Sequence, residues 1–336
     1  MLWIRRLLTI GGVLFAGLVL VYLLGPKPDF PALRAELPMV EVPLPTLPDM
    51  LARREAKVNN LRPDNHARIL WADSIRQTPV SIVYLHGFTA SPLESEAVVV
   101  PLARQIGANL YLPRLADHGI DSRESFADCQ PQDWIDSAAE ALVIGKRLGK
   151  KVIVVSCSTG STLGAYLSAR FPEYVDAHIM YSPNFAIENS TAKLLNGPWG
   201  LELARRTTGS DYRSFELPEG AEQYWTAEYR LEGLVCLQEL LEQTMTDEVF
   251  TAIDQPWFAG FYYKNEEERD MVISVPAIRE RLAQTATPTH LRELRPFANV
   301  DTHVIGSHFQ SKDIGAVQMA TEQFVQRLLR EWGIAS

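Results

Sequence analysis

From about residue 56 the chain alternates between two hydrophobic rhythms. Short apolar runs rich in β-branched and aromatic residues at 67–71, 80–85, 109–112, 152–155 and 177–181 read as strands. Between them, longer stretches place apolar residues every three or four positions, as an amphipathic helix requires. Ser91-Pro92-Leu93-Glu94 has the form of a capping box with proline at the first helical position, and predicts a helix over 92–106. Further helices are predicted over 131–148 and 159–170, the second stopped by Pro172. This alternation implies a mainly parallel sheet covered on both faces.

The rhythm breaks over 188–254, where the pattern is helical and carries scattered aromatics (Trp199, Tyr212, Tyr224, Trp225, Tyr229). It resumes with a strand at 256–263, a helix near 275–283, a strand near 300–305 and a last helix over 314–332. An insertion between two late strands falls over the C-terminal edge of the sheet, where open α/β folds bind ligands. Residues 188–254 therefore read as a cap, the plainer alternative being an elaborated crossover.

Ahead of this domain lie two segments of different character. Residues 7–24 form an uncharged apolar run of 18 residues preceded by Arg5 and Arg6. At about 1.5 Å per residue the run covers roughly 27 Å, close to a hydrocarbon core. The arginines favour an N-in orientation, which places the rest of the chain on the extracytoplasmic side. The expectation is an uncleaved membrane anchor over 1–25; the alternative is a signal peptide, cleaved to release a secreted protein. Residues 26–55 are proline-dense (Pro26, Pro28, Pro31, Pro38, Pro43, Pro45, Pro48) and should be extended. They read as a stalk, or as a segment lying along the domain surface, before a domain over 56–336.

Composition narrows the partners. The 336-residue chain has a net charge of −9 and no basic run beyond Arg5-Arg6 and Arg53-Arg54, which argues against nucleic acid. Its three cysteines, Cys129, Cys157 and Cys236, cannot form a disulfide framework; one pair, Cys129 with Cys236, is conceivable. No metal cluster is evident and no cofactor is needed.

Chemistry concentrates at Lys151-Val-Ile-Val-Val-Ser-Cys-Ser158-Thr-Gly160, where a β-branched run enters a turn of small residues that opens into a helix. This strand–turn–helix setting holds a serine above a sheet as a nucleophile. The motif carries Ser156 where Gly is usual. A phosphate loop is disfavoured because neither Gly-Lys-Ser/Thr nor a G-x-G-x-x-G pattern is present. Cys157 is the rival nucleophile, but it would put the β-branched Val155 and Thr159 at the crowded positions.

Ser158 needs a base, an orienting acid and donors for an oxyanion. His308, just after the last predicted strand, is the expected base, while His303 falls inside that strand and reads as structural. In Leu85-His86-Gly87-Phe88 the Phe88 amide can join that of Thr159 as an oxyanion hole. Among the carboxylates after 256–263, Asp270 is the expected acid because Met271-Val272-Ile273 would pin it, with Glu268 and Asp301 behind it.

The segments His86-Gly-Phe-Thr-Ala-Ser-Pro92, Tyr111-Leu-Pro-Arg-Leu-Ala-Asp-His-Gly119, Asp133-Trp134 and the Ser158 elbow together resemble the α/β-hydrolase superfamily over about 78–330. The similarity is to its serine carboxylesterase and monoacylglycerol-lipase-like branch. The resemblance implies an α/β-hydrolase fold with Ser158 as nucleophile, Asp270 and His308 as partners, the Phe88 and Thr159 amides as oxyanion hole, and an acyl pocket shaped by the cap. Ser156 and the acidic loop before Asp270 depart from the family pattern. The activity expected is hydrolysis of a small-molecule or lipid-derived ester through an acyl-enzyme. The alternatives are acyl transfer on the same residues, or a membrane-tethered binding protein without catalysis.

Overall fold

The computed structural model describes residues 2–334, with the side chains of Leu2, Arg5 and Leu7 outside that description. Helix α1 (Leu2–Leu23) comes first, followed by an extended stretch and α2 (Leu47–Glu55). The sheet and its helices then run β1 (Arg68–Leu70), β2 (Thr78–Leu85), α3 (Glu96–Gln105), β3 (Asn109–Leu112), α4 (Pro131–Leu148), β4 (Gly149–Cys157), α5 (Thr159–Arg170) and β5 (Ala177–Tyr181). The insertion holds α6 (Gly200–Thr208), β6 (Tyr212–Ser214), β7 (Glu228–Arg230), α7 (Glu232–Thr244) and α8 (Asp247–Ala252). The chain closes with β8 (Trp257–Tyr262), α9 (Val275–Ala283), β9 (Arg292–Phe297) and α10 (Ile314–Glu331).

Seven strands form one sheet in the order β1-β3-β2-β4-β5-β8-β9. Every pairing is parallel except β1 with β3. The central strands are buried on both faces, which is why β4 reads as an unbroken Val-Ile-Val-Val run rather than an alternation. One face packs Trp134, Leu142, Leu163, Phe250 and Phe261; the other packs Tyr84, Leu102, Tyr181, Phe258 and Phe324. The insertion leaves the sheet after β5 and returns at β8, so it stands over the C-terminal edge. It is not wholly helical: β6 and β7 pair as a small antiparallel hairpin.

Four expectations are corrected. The final strand is β9 at Arg292–Phe297, not 300–305, which is a loop with Val300, Val304 and Ile305 buried and Asp301 exposed. That strand sits at the sheet edge with Arg292, Glu293 and Arg295 along it, so it lacks the apolar run that marks a central strand. Next, α3 begins at Glu96 rather than Pro92: the Ser91 hydroxyl is buried without a partner among the described residues, and Glu94 turns elsewhere. Third, 26–55 is no free stalk. Leu33, Leu37, Val40 and Val42 pack on the core, and Leu47 and Leu51 are fully inside it. The strap is stitched down by Leu33 N–H to Gln243 Oε1 (2.8 Å), Arg34 N–H to Gln132 Oε1 (2.9 Å) and Arg147 Nη1 to the Val40 carbonyl (2.9 Å).

The fourth correction concerns the anchor. All but the last residue of the run over 7–24 lies in α1, and the described apolar side chains from Trp3 to Leu24 are exposed. Among the described residues, however, no helix is long and apolar enough to cross a membrane. The expected membrane anchor, and the extracytoplasmic placement that depended on it, is not supported. Cys129 and Cys236 are free buried thiols that face one another, Cys129 just ahead of α4 and Cys236 on α7.

Candidate active site

Ser158 stands between the end of β4 and the first residue of α5, with φ 50° and ψ −115°. A non-glycine residue in that conformation is strained, and the surroundings fix it in place. Its N–H donates to the Tyr181 carbonyl (2.9 Å), and its carbonyl accepts the Ser161 N–H (2.9 Å) and the Asn184 N–H (3.2 Å). The turn is crowded as the small-residue pattern implies: a Cβ on Gly160 would stand 2.0 Å from the Leu85 carbonyl oxygen. Beneath the turn, Ser156 Oγ lies 2.7 Å from His178 Nε2 and 2.9 Å from Ser161 Oγ, so the hydroxyl in place of glycine completes a buried polar cluster. Burial pushes the His178 pKa down to about 3, leaving a neutral ring.

Asp270 is almost wholly buried in the loop after β8. Its Oδ1 accepts the N–H groups of Val272 (2.9 Å) and Ile273 (3.3 Å), and its Oδ2 lies 2.6 Å from His303 Nδ1. The turn after Asp270 therefore pins the carboxylate with its amides, while Met271 and Val272 face solvent. Burial alone would raise the Asp270 pKa, but the facing imidazole and the hydrogen bonds outweigh it and hold the carboxyl below its ordinary range. Burial likewise works to lower the His303 pKa, and the Asp270 carboxylate overrides it, raising the imidazole above its ordinary value. Of the rival acids, Glu268 pairs with Lys264 and Asp301 with Lys312, both at the surface.

His308, the expected base, is exposed and stacks on Phe309 with ring centroids 3.9 Å apart. It is His303 that meets Asp270. The reversal follows from the shifted strand: with β9 ending at Phe297, His303 is no longer inside a strand but in the loop that returns over the sheet edge. The missed signal was the charged Arg-Glu-Leu-Arg-Pro stretch ahead of it. Ser182 Oγ donates to the His303 carbonyl (2.6 Å) and anchors that loop to the end of β5.

Phe88 and Thr159 line the cavity beside the serine, and among the described residues neither N–H donates to another protein group. Gly87 brings the two segments together, since a Cβ there would lie 3.3 Å from Ser158 Cβ. His86 supports the loop rather than the chemistry: Nε2 accepts the Leu115 N–H (3.1 Å), and burial lowers its pKa to about 4. Cys157 is wholly buried, and burial drives its thiol well above the ordinary range, the reverse of an activated nucleophile.

Ser158, Thr159, Phe88 and His303 line one cavity of about 370 Å³. Its wall from the insertion is mostly apolar, with Phe215, Leu217, Trp225, Tyr229, Leu234 and Leu237. A serine hydroxyl, an imidazole held by a buried carboxylate and two free amides in an apolar cavity are the parts needed for nucleophilic acyl chemistry. No group of three or more side chains suited to a metal occurs among the described residues.

The chain belongs to the Alpha/beta hydrolase family, whose model matches residues 82–335. It is similar to the thermostable monoacylglycerol lipase of Bacillus sp. (strain H-257), 30% identical over 95 residues, a match covering 28% of this chain and 37% of that relative. Among solved structures it resembles one from work on the metagenome-derived lipolytic enzymes LipS and LipT (17% identity, TM-score 0.62, covering 80% of this chain and 99% of the other). It also resembles the Paleococcus ferrophilus monoacylglycerol lipase (11% identity, TM-score 0.55, 77% and 97% covered). The resemblance to the α/β-hydrolase superfamily read from the sequence is thereby shown.

Proposed function

We propose that this α/β hydrolase is of the lipase and esterase type and cleaves carboxylic esters through an acyl-enzyme. Ser158 attacks the carbonyl, His303 takes its proton and returns it to the leaving alcohol, and Asp270 orients the imidazole and stabilises its charged form. The Phe88 and Thr159 amides receive the oxyanion, and water releases the acyl group. The observation that carries this reading is the 2.6 Å contact of His303 with the buried Asp270, in a cavity shared with Ser158. The apolar wall favours an acyl chain or other apolar acid, and the lipolytic relatives point the same way.

A fluorophosphonate should add one label that Ser158→Ala abolishes. Hydrolysis of a p-nitrophenyl ester should fall by roughly three to four orders of magnitude in His303→Ala, while His308→Ala stays near wild type. The base must be neutral to accept a proton, so kcat/KM should rise with pH through a limb above the ordinary histidine value of about 6.5. Labelling that survives Ser158→Ala, or activity lost in His308→Ala and kept in His303→Ala, rules the assignment out.

A further inference from the structure

We propose that Glu94 is a positioning residue for this site: one buried carboxylate that ties the loop bearing the Phe88 amide to the loop bearing His303 and presents a second negative charge to the imidazole. The inference rests on the hydrolase reading above. Glu94 belongs to the capping-box pattern, yet it does not cap α3. Its Oε2 instead accepts the Gly87 N–H (2.9 Å) and the Tyr84 hydroxyl (2.7 Å), and the side chain lines the same cavity as Ser158 and His303.

Three features place this carboxylate between the working parts. Gly87 directly precedes Phe88, so the bond from Gly87 to Glu94 sets the peptide that leads into the oxyanion amide. Glu94 Oε1 lies 3.0 Å from where a Gly87 Cβ would be, so the loop folds tightly around it. On the other side Tyr84 Oη lies 2.8 Å from Ser95 Oγ, and a Cβ on Gly306 would stand 2.7 Å from that same oxygen. Gly306 is three residues beyond His303, so the histidine loop passes close over Ser95, the neighbour of Glu94 in the chain and its partner on Tyr84.

The groups facing Glu94 are Tyr84 from β2, Cys157 from β4 and His303 from the loop after β9. Those whose charge acts on His303 are Asp270 first and Glu94 second, and both favour the imidazolium. A carboxylate kept in a nearly water-free position, when glutamine would fill the same space, costs desolvation. Burial accordingly raises the Glu94 carboxyl above its ordinary value, while the Tyr84 hydroxyl, the Gly87 N–H and the His303 imidazolium work against that rise.

The experiment uses the full chain, wild type beside Glu94→Gln and Glu94→Ala, with thermal unfolding to establish folding and a p-nitrophenyl ester as substrate. Glu94→Gln retains an acceptor for the Gly87 N–H but not the charge, so the acidic limb of kcat/KM should move to lower pH by roughly half a unit or more. Glu94→Ala also releases the loop, and kcat should fall about 100-fold with KM nearly unchanged. An acidic limb that stays in place in folded Glu94→Gln overturns the proposal, whatever the alanine variant does. Fluorophosphonate labelling of wild-type Ser158 separates the two failures. An unlabelled wild type sinks the hydrolase reading and this inference with it, whereas a labelled wild type with an unmoved limb sinks the role of Glu94 alone.

Discussion

Ser156 sits two residues before Ser158, where glycine is usual, and its hydroxyl bonds His178 and Ser161 in a site closed to water. Replacing it with glycine would make the motif conventional and strand the His178 Nε2. Leaving a buried polar atom unpaired costs about 1–3 kcal/mol. Ser156→Gly should therefore unfold several degrees below wild type in a thermal scan. An unchanged or higher midpoint would mean that the cluster contributes nothing to stability. The Asp270–His303 pair also links stability to pH, with opposite signs for the two partners. Asp270, depressed below its unfolded value, stabilises above about pH 4 and loses that contribution as pH falls through its folded pKa. His303, raised, stabilises fully below about pH 6.5 and loses it as pH rises through its folded pKa.

Among the elements, those with strong periodicity were legible from sequence alone. The bounds of β3, α4, α5, β5 and α9 follow from their apolar spacing and their Pro and Ser boundaries. What misled was sequence whose local pattern is overridden by its position in the fold. The edge strand β9 carries charges because one side of it is open, whereas in 300–305 the apolar Val300, Val304 and Ile305 pack into the core beside α10 and the end of β5 without pairing into the sheet. That single displacement exchanged His303 for His308. The capping box at Ser91 failed because Glu94 has stronger partners in Gly87 and Tyr84. Asp270 was legible as a residue, though its restraint comes from amides rather than apolar side chains.

A prediction for the insertion belongs at this same scale, and it rests on the proposed ester hydrolysis. Leu217 projects from the segment between β6 and β7 into the cavity wall. Leu217→Trp fills space there, so kcat/KM along a series of p-nitrophenyl esters should fall at least about tenfold for octanoate relative to acetate. Equal losses across the series would place the acyl chain elsewhere.

At the level of the whole molecule, the segment before the first strand is part of the hydrolase domain rather than an appendage. Leu47 and Leu51 are fully buried, and Glu55 forms a buried pair with Arg114 at 2.7 Å. Each leucine contributes about 1.5–3 kcal/mol, and an orphaned buried arginine costs about 3–5 kcal/mol. Their sum rivals the total stability of a typical domain, about 5–15 kcal/mol. A chain lacking residues 1–25 should fold with a near-wild-type unfolding midpoint, and one lacking 1–55 should be insoluble or unfolded. Soluble, cooperative unfolding of the shorter chain would refute this.

Near its start the strap also bonds Gln243 at the C-terminal end of α7, while α7 itself is sunk in the core through Cys236, Leu240 and Leu241. The insertion is thus held at more than one place. The hairpin is anchored as well: Tyr229 of β7 is buried in the core, the Arg230 N–H donates to the Ser125 carbonyl (3.1 Å) and the Thr226 N–H to the Thr89 carbonyl (2.8 Å). The wall that the insertion gives the cavity is therefore continuous with the core, through Tyr229 on one side and Leu237 on the other.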